Sequence, residues 1–253
     1  MRRIKGIIIC IIAAAFISSC KQDETLRYNN LTMGNIVNGT FVSDQGNIFN
    51  VVEKTCEGNL EEMERALVIC DVLKLKPGTE NQYDVRLNGI SYVLLKDAIS
   101  RNTADSEEES SVSDPIHIYS AWISGGYLNM YLMYERVKTS KTKHLVNLVI
   151  EDTDSENGKF TFSLRHNSFG ESLIYELEDE KQIELAGAFV SFPLTEIITD
   201  DSAEITVKWN WYKDPTPNSN SEIQEVSGRL TYTKGGFEQA PVTPPSKATD
   251  KLN

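Results

Sequence analysis

Short apolar runs recur along residues 33–234, separated by turn signals rich in Gly, Asn, Asp and Pro. This spacing predicts strands throughout. In residues 159–166, apolar side chains at every second position share one face, as in a half-buried strand. Residues 65–75 carry apolar side chains on both faces, which is typical of a strand inside a barrel or sandwich. The pattern therefore predicts an all-β protein.

The first unit, residues 33–100, is predicted to be a small OB-like β-barrel, because about five short strands fit within it. Lys76-Pro77-Gly78 indicates a turn, and Asn88-Gly89 predicts a two-residue hairpin. A further hairpin is expected to join the first two predicted strands. The predicted strands of this unit cover residues 47–55, 65–75, 83–87 and 92–95.

Residues 101–113 are mostly Ser, Glu and Asp, so we expect a flexible acidic linker that buries little. Residues 114–235 are predicted to form a second unit, a two-sheet β-sandwich. Residues 236–253 contain three prolines and are predicted to be a disordered tail. The strands predicted for the second unit cover residues 116–123, 127–134, 143–150, 159–166, 188–194, 204–212 and 226–233.

The N-terminus has the pattern of an exported lipoprotein. Three basic residues precede an apolar run that ends in Ile17-Ser18-Ser19-Cys20. The run is shorter than the roughly 20 residues that span a bilayer, so residues 1–19 are predicted to be a cleaved lipoprotein signal peptide. A small pair followed by Cys is the bacterial lipobox pattern. It predicts lipidation of Cys20 and a tether over residues 20–32. A plain secreted protein is the alternative.

Acyl chains on Cys20 predict a membrane partner and an outer-membrane location. Lys21-Gln22-Asp23-Glu24 resembles the surface-export signal of Bacteroidota lipoproteins, which favours exposure at the cell surface. A solvated tether without sorting information, on a body that faces the periplasm, is the alternative.

Charge narrows the range of partners. Removal of the signal peptide leaves 22 of the 25 Lys and Arg residues against 37 Asp and Glu residues, a net charge near −15. An acidic body of this kind repels phosphate backbones, so nucleic acid is not an expected partner. It also repels anionic lipid, which leaves attachment to the acyl chains.

Two cysteines, Cys56 and Cys70, remain in the mature body after Cys20. An exported protein can form a disulfide. However, the predicted hairpin would place Cys56 opposite the start of the next strand rather than opposite Cys70. The sequence therefore favours two buried free thiols, with a disulfide as the alternative.

The sequence contains no motif that predicts a catalytic site or a cofactor. His117, His144 and His166 could in principle bind zinc, but none of them lies in a short ligand motif. The last two share strand faces with apolar residues and are expected to be hydrogen-bonded at the edge of a core. Asp152 and Asp154, with the acidic residues near them, are interpreted as a solvated hairpin turn rather than a calcium loop.

Aromatic residues could mark a surface that binds sugars or proteins. Trp122, Trp209 and Trp211 could stack on sugars, although the last two fall on the apolar face of their strand, which favours core packing. Tyr127 and Tyr131 belong to a strand with large residues on both sides, one of which could face a partner. Separately, Asp201-Ser202-Ala203 resembles a short O-glycosylation motif of the same bacterial group, and a plain turn is the alternative.

Several stretches resemble the NigD-like lipoproteins of Bacteroidota. The resemblance extends from the lipobox to about residue 234, and it implies an OB-like N-terminal domain and a C-terminal β-sandwich. The family brings no catalytic residues. The stretches that carry it are Arg65-Ala-Leu-Val68, Tyr83-Asp-Val-Arg-Leu-Asn-Gly-Ile90, Asp114-Pro-Ile116, Ala121-Trp-Ile-Ser-Gly-Gly-Tyr-Leu-Asn129, Lys143-His144, Asn147-Leu148, Leu164-Arg-His-Asn167 and Val190-Ser-Phe-Pro-Leu194.

Three functional hypotheses follow. The first is a non-enzymatic, lipid-anchored binding or structural protein whose ligand, a surface protein or a glycan, is unknown. The second is an immunity or accessory lipoprotein related to bacteriocins, which rests on the family name. The third is a metal-dependent hydrolase built on the three histidines.

Overall fold

The computed structural model describes residues 31–171, 183–214 and 221–237. The predicted signal peptide, Cys20, nearly all of the tether and most of the tail lie outside the described residues. The strands are β1 (Thr32–Val37), β2 (Thr40–Ser43), β3 (Ile48–Lys54), β4 (Arg65–Leu75), β5 (Gln82–Leu95), β6 (Ile99–Ser100), β7 (His117–Ser124), β8 (Tyr127–Val137), β9 (Leu145–Asp154), β10 (Lys159–Asn167), β11 (Ile183–Pro193), β12 (Ser202–Tyr212) and β13 (Ile223–Thr233). Two short helices, α1 (Arg101–Ser106) and α2 (Glu108–Ser111), and two 3₁₀ turns, Leu60–Glu62 and Ser155–Asn157, connect strands.

Strands β1 to β5 close a five-stranded barrel. β1 pairs with β2 and β4, β2 pairs with β3, and β5 pairs with both β3 and β4. This is the strand order of an OB-like barrel, as predicted. The interior is apolar and consists of Phe41, Phe49, Leu60, Ala66, Val68, Cys70, Val72, Val85 and Leu87.

The hairpin predicted at Asn88-Gly89 is wrong, because both residues lie inside β5, a single strand of 14 residues. Gly89 pairs with Ile69 and Leu87 pairs with Cys70, so Asn88 is the extra residue of a β-bulge. Bulges bend a strand and increase its twist, which allows β5 to curve around the barrel. The Asn-Gly pair therefore marks a bulge here and not a turn.

The hairpin predicted between residues 47–55 and 65–75 is also wrong, because β3 pairs with β2 and β5 rather than with β4. The expectation of free thiols is nevertheless confirmed, although Cys56 is only partly buried. Burial and the neighbouring Asp71 raise the pKa of Cys70 to about 12. A thiol with so high a pKa stays protonated and unreactive.

The second unit is the predicted β-sandwich. One layer continues the barrel sheet in the order β5, β11, β8, β7, and the other has the order β13, β12, β10, β9, β6. Every strand predicted for this unit is present, with ends shifted by a few residues. Its core includes Leu128, Leu132, Leu148, Phe162, Phe192 and Ile205.

Residues 101–113 differ from the predicted flexible linker. They contain α1 and α2, and they bury Ala104 and Ser110 against the sandwich. Arg165 holds the segment through a 2.7 Å bond to Asp105, and the Asn147 side chain donates to Ser110. The polar composition of the segment does not reveal this docking, because burial of two small residues is enough to hold so short a segment.

Candidate functional site

Arg65, at the first position of β4, is a cation with 0% of its side chain exposed. Burial of a charge costs several kcal/mol unless partners replace the lost water. All five guanidinium N–H groups have acceptors at 2.8–3.0 Å, so the cost is offset. The acceptors are Ser191 Oγ, Asn35 Oδ1, Asp44 Oδ1, Asp44 Oδ2 and Asn129 Oδ1.

Asp44 supplies the balancing negative charge. Both of its oxygens accept from Arg65 at 2.8 Å in the two-pronged geometry that makes such pairs strong, and its side chain is 1% exposed. The Ser124 hydroxyl donates to the same carboxylate. The Tyr127 ring lies 3.9 Å from Arg65 Cζ, a cation–π contact that covers the face of the guanidinium.

This Arg65 network joins the two units. Asn35, Asp44 and Arg65 come from the barrel, whereas Ser124, Asn129 and Ser191 come from the sandwich. Gly125 lets the β7–β8 turn approach Asp44, since its φ is +60° and a Cβ would lie 2.7 Å from Asp44 Cγ. The network therefore fixes the orientation of the barrel on the sandwich.

A second buried polar cluster, the His144–His166 pair, lies inside the sandwich. His144 Nδ1 and His166 Nε2 are 3.0 Å apart, and both residues are 1% exposed. His166 Nδ1 lies 3.1 Å from the Pro115 carbonyl oxygen, and His144 Nε2 lies 3.4 Å from Glu171 Oε2. The prediction of hydrogen-bonded histidines at the core is confirmed.

The partners of the pair determine where its protons are. The carbonyl of Pro115 can only accept, so His166 Nδ1 carries a hydrogen and His166 Nε2 accepts from His144 Nδ1. Only His144 Nε2, which faces Glu171, can take up a proton without breaking this chain. Burial and the neighbouring His144 lower the pKa of His166 from 6.5 to about 4. Burial also lowers the pKa of His144, partly opposed by Glu171.

His117 does not join the pair. Its ring lies 5.0 Å from that of Trp211 and 6.2 Å from that of Tyr119, near the surface of the sandwich. Within the described ranges, no three His, Cys, Asp or Glu side chains are grouped so as to hold a metal ion. The three histidines thus do not form the single zinc site that was considered.

The other predicted aromatic residues take internal positions. Trp122 and Tyr131 are 2% and 4% exposed, and Tyr127 is held by Arg65. Trp209 is partly buried against the sandwich core, as predicted. Trp211 is the exception, because it is half-buried and contacts the rings of His117 and Tyr212 instead of entering the core.

The acidic loop is a solvated turn, as interpreted. Asp154 caps the 3₁₀ turn by accepting from Asn157, and its neighbours are exposed. Ser202 is exposed at the start of β12, and its glycosylation stays a prediction. No helix among the described residues has the length and apolar character needed to cross a membrane.

Asp44, Glu171 and Asn35 were not predicted from the sequence as members of a site. Asp44 lies in a short polar turn and is 21 residues from Arg65, and nothing nearby in the sequence identifies it as buried. One signal was available: an arginine at the head of a long apolar strand needs a partner. By contrast, several residues that carried the family resemblance lie in the two buried clusters, among them Arg65, Asn129, Ser191, His144 and His166.

The comparisons with known proteins agree with this fold. Residues 99–223 match the model of the NigD-like C-terminal beta sandwich domain, so the matched region begins at β6 and includes α1 and α2. No curated protein matches the chain.

Solved structures from the Bacteroidales share the architecture of both units. A NigD-like immunity protein from Bacteroides caccae is 17% identical with a TM-score of 0.51, over 77% of this chain and 90% of that one. A protein provisionally described as toxin-related, from Parabacteroides distasonis, is 23% identical with a TM-score of 0.53, over 80% and 91%. One provisionally described as a lipoprotein, from Bacteroides fragilis, is 15% identical with a TM-score of 0.53, over 81% and 97%.

Proposed function

We propose that this chain, which carries a NigD-like C-terminal β-sandwich domain at residues 99–223, is a lipid-anchored protein that binds a partner and has no enzymatic activity. One observation carries the proposal. The polar residues of the Arg65 network and of the His144–His166 pair bond to one another inside the protein. Each guanidinium N–H of Arg65 is bonded internally, and both His144 and His166 are 1% exposed. A substrate could not reach these groups.

The anchor follows from the lipobox at Cys20. Acylation of the thiol and of the new amine adds more than one chain, and more than one chain makes membrane attachment stable. The relative from Bacteroides fragilis, itself described as a lipoprotein on provisional grounds, supports this step. We place the body at the outer membrane and on the cell surface because of the charged residues that follow Cys20.

Metabolic labelling tests the anchor. Cells expressing the full chain are fed an alkyne analogue of palmitate, and we expect the label on the wild-type protein and its complete loss in Cys20→Ser. Cys10→Ser is the matched control, because Cys10 lies in the signal peptide and the change should leave labelling intact. Protease added to intact cells should remove the body. Label on Cys20→Ser, or protection from protease until the outer membrane is opened, would contradict the anchor or the surface location respectively.

A second candidate is a role in immunity to antibacterial proteins. It is favoured by the description of one structural relative as an immunity protein and of another as toxin-related. Deletion of the gene should then raise sensitivity to an antibacterial protein of neighbouring strains by at least about tenfold, measured as the lowest inhibitory dose. Restoration of the wild-type gene should reverse the change. Unchanged sensitivity across a panel of competing strains would exclude this role.

The third hypothesis, a metal-dependent hydrolase, required one site made of three histidines. The structure pairs His144 with His166 and places His117 against the ring of Trp211, and we do not propose this activity.

A further inference from the structure

The barrel has an opening between β2 and β3. β2 has only four residues, and it pairs with β3 at two positions, Phe41 with Phe49 and Val42 with Ile48. β3 continues as far as Lys54, and there it pairs with β5 on one side. Among the described residues, no strand pairs with the other side of residues 50–54. Such an edge presents unpaired backbone N–H and C=O groups that match an added strand.

A groove of about 240 Å³ lies beside this edge. One wall is β3, and the other is formed by the β1–β2 turn together with the 3₁₀ turn Leu60–Glu62. An extended chain is the ligand shape that suits such a groove, because the groove follows an edge strand. The residues that line it include Thr40, Asn50, Val51, Lys54, Asn59 and Glu61.

Exposed apolar side chains surround the opening. Val51 and Val52 are 36% and 51% exposed, and Val37, also 51% exposed, pairs across the turn with the groove residue Thr40. Exposed valines on an edge strand normally promote aggregation. Here Val52 sits in a bulge opposite β5, which breaks the flat edge and limits how many residues an added strand can pair.

The charged residues beside the groove determine which kind of partner segment it would attract. Four glutamates, Glu57, Glu61, Glu62 and Glu64, lie within the eight-residue segment 57–64, and Glu61 lines the groove. Lys54 is the cation that lines the groove, and its ammonium already donates to the Gly58 carbonyl oxygen. An incoming segment with basic side chains would therefore be attracted, and an acidic one would be repelled.

We propose that the β2–β3 opening binds an extended segment of a partner protein that carries basic side chains and adds to β3 as a further strand. This rests on the proposed function, since it names the surface and the partner class of a binding protein. Backbone bonds to residues 50–54 supply affinity, the valines receive apolar side chains, and the glutamates receive the basic ones. A second copy of the chain fits poorly, because the mature chain has a net charge near −15 and two such chains repel each other.

The test uses the mature chain and a defined probe, the peptide Lys-Val-Thr-Val-Thr-Val-Lys, labelled with a fluorophore. We expect saturable binding below about 1 mM at low salt, with backbone amide NMR shifts concentrated at residues 50–54. Binding should weaken as salt is added. The peptide Lys-Val-Pro-Val-Pro-Val-Lys, which lacks two N–H donors, should bind at least about tenfold more weakly. Equal binding of the two peptides would contradict strand addition.

Variants locate the site. Val51→Lys should weaken binding about fivefold through lost apolar contact and added repulsion, because Val51 lines the groove. Leu75→Lys is the matched control, because it adds the same charge at another exposed apolar position of the barrel, 48% exposed, that does not line the groove. It should change affinity by less than about twofold. Glu61→Lys should weaken binding about threefold at low salt.

Three outcomes would overturn the proposal. The first is no binding of the lysine peptide at about 1 mM, and the second is amide shifts confined to residues outside the groove. The third is sedimentation of the mature chain as a dimer that Val51→Lys dissociates. The last outcome would assign the edge to a second copy. Palmitate labelling at Cys20 is independent of the groove, so failure here leaves the anchor intact, and failure of the labelling leaves this binding surface intact.

Discussion

Replacement of Arg65 by Met is expected to lower the free energy of unfolding by about 3–5 kcal/mol. The methionine fills a similar volume but cannot donate the hydrogen bonds that Arg65 gives to its partners. Those partners are Asp44, Asn35, Asn129 and Ser191. Asp44 then stays buried as an uncompensated carboxylate, and that is the main cost. Urea unfolding of the soluble body at neutral pH, followed by tryptophan fluorescence, measures the change.

The control is Arg86→Met on β5. Arg86 is also ion-paired, with Glu53 at 2.6 Å, but its side chain is 37% exposed, so its loss should cost far less stability than the loss of Arg65. Adding Asp44→Asn to Arg65→Met should recover part of the loss, because the buried charge is removed. If Arg65→Met and Arg86→Met destabilise the protein equally, the Arg65 network does not stabilise the fold.

The stability of the protein should fall as the pH drops from 6.5 to about 4, because of His166. The folded state holds this residue neutral, with a pKa of about 4, whereas the unfolded chain takes up the proton near 6.5. The stability is therefore fully present above pH 6.5 and is lost as the pH falls through this window. The loss should reach about 3 kcal/mol by pH 4. Urea unfolding at half-unit pH steps gives the curve.

His166→Asn should flatten this curve between pH 6.5 and 4.5, whatever it does to the stability at pH 7. The pKa of His117 is also lowered by burial, but the side chain is less enclosed, so His117→Asn should remove a smaller part of the slope. Carboxylates change the stability of the protein at lower pH than the histidines do. Hydrogen bonds from Asn50 and Arg165 lower the pKa of Asp84 and of Asp105, and their stability is lost only below about pH 4. An unchanged slope in His166→Asn would show that other groups cause it.

The sandwich could be predicted from the sequence because its strands bury one face and expose the other. Residues 159–166 show this: β10 covers Lys159–Asn167, and Phe160, Phe162 and Leu164 are buried. Local alternation contains the information, and no long-range pairing needs to be known.

The barrel was predicted in type but not in detail. Its strands curve and change partners, so turn signals mislead. Asn88-Gly89 has the composition of a hairpin, but it forms a bulge inside β5. β3 and β4 are consecutive strands, and consecutive strands usually pair, but closure of the barrel separates them.

The two polar clusters could not be predicted from spacing, because their members are far apart in the chain. Arg65 meets Ser191 across 126 positions, and His144 meets His166 across 22. The resemblance to a family singled out many of these residues, but it gave no reason for them. The geometry supplies one: they hold the two units together and fill the sandwich interior.

A third group of buried residues couples the two units of the protein. Met33, Leu67 and Val93 come from the barrel, Trp122, Tyr131 and Phe189 come from the sandwich, and all six pack into one cluster. A crossover within residues 101–113 would combine three of these side chains from one ancestor with three from another. Such a recombinant would have mismatched shapes at a surface with little room to adjust. The two units should therefore have diverged together, as a single heritable block.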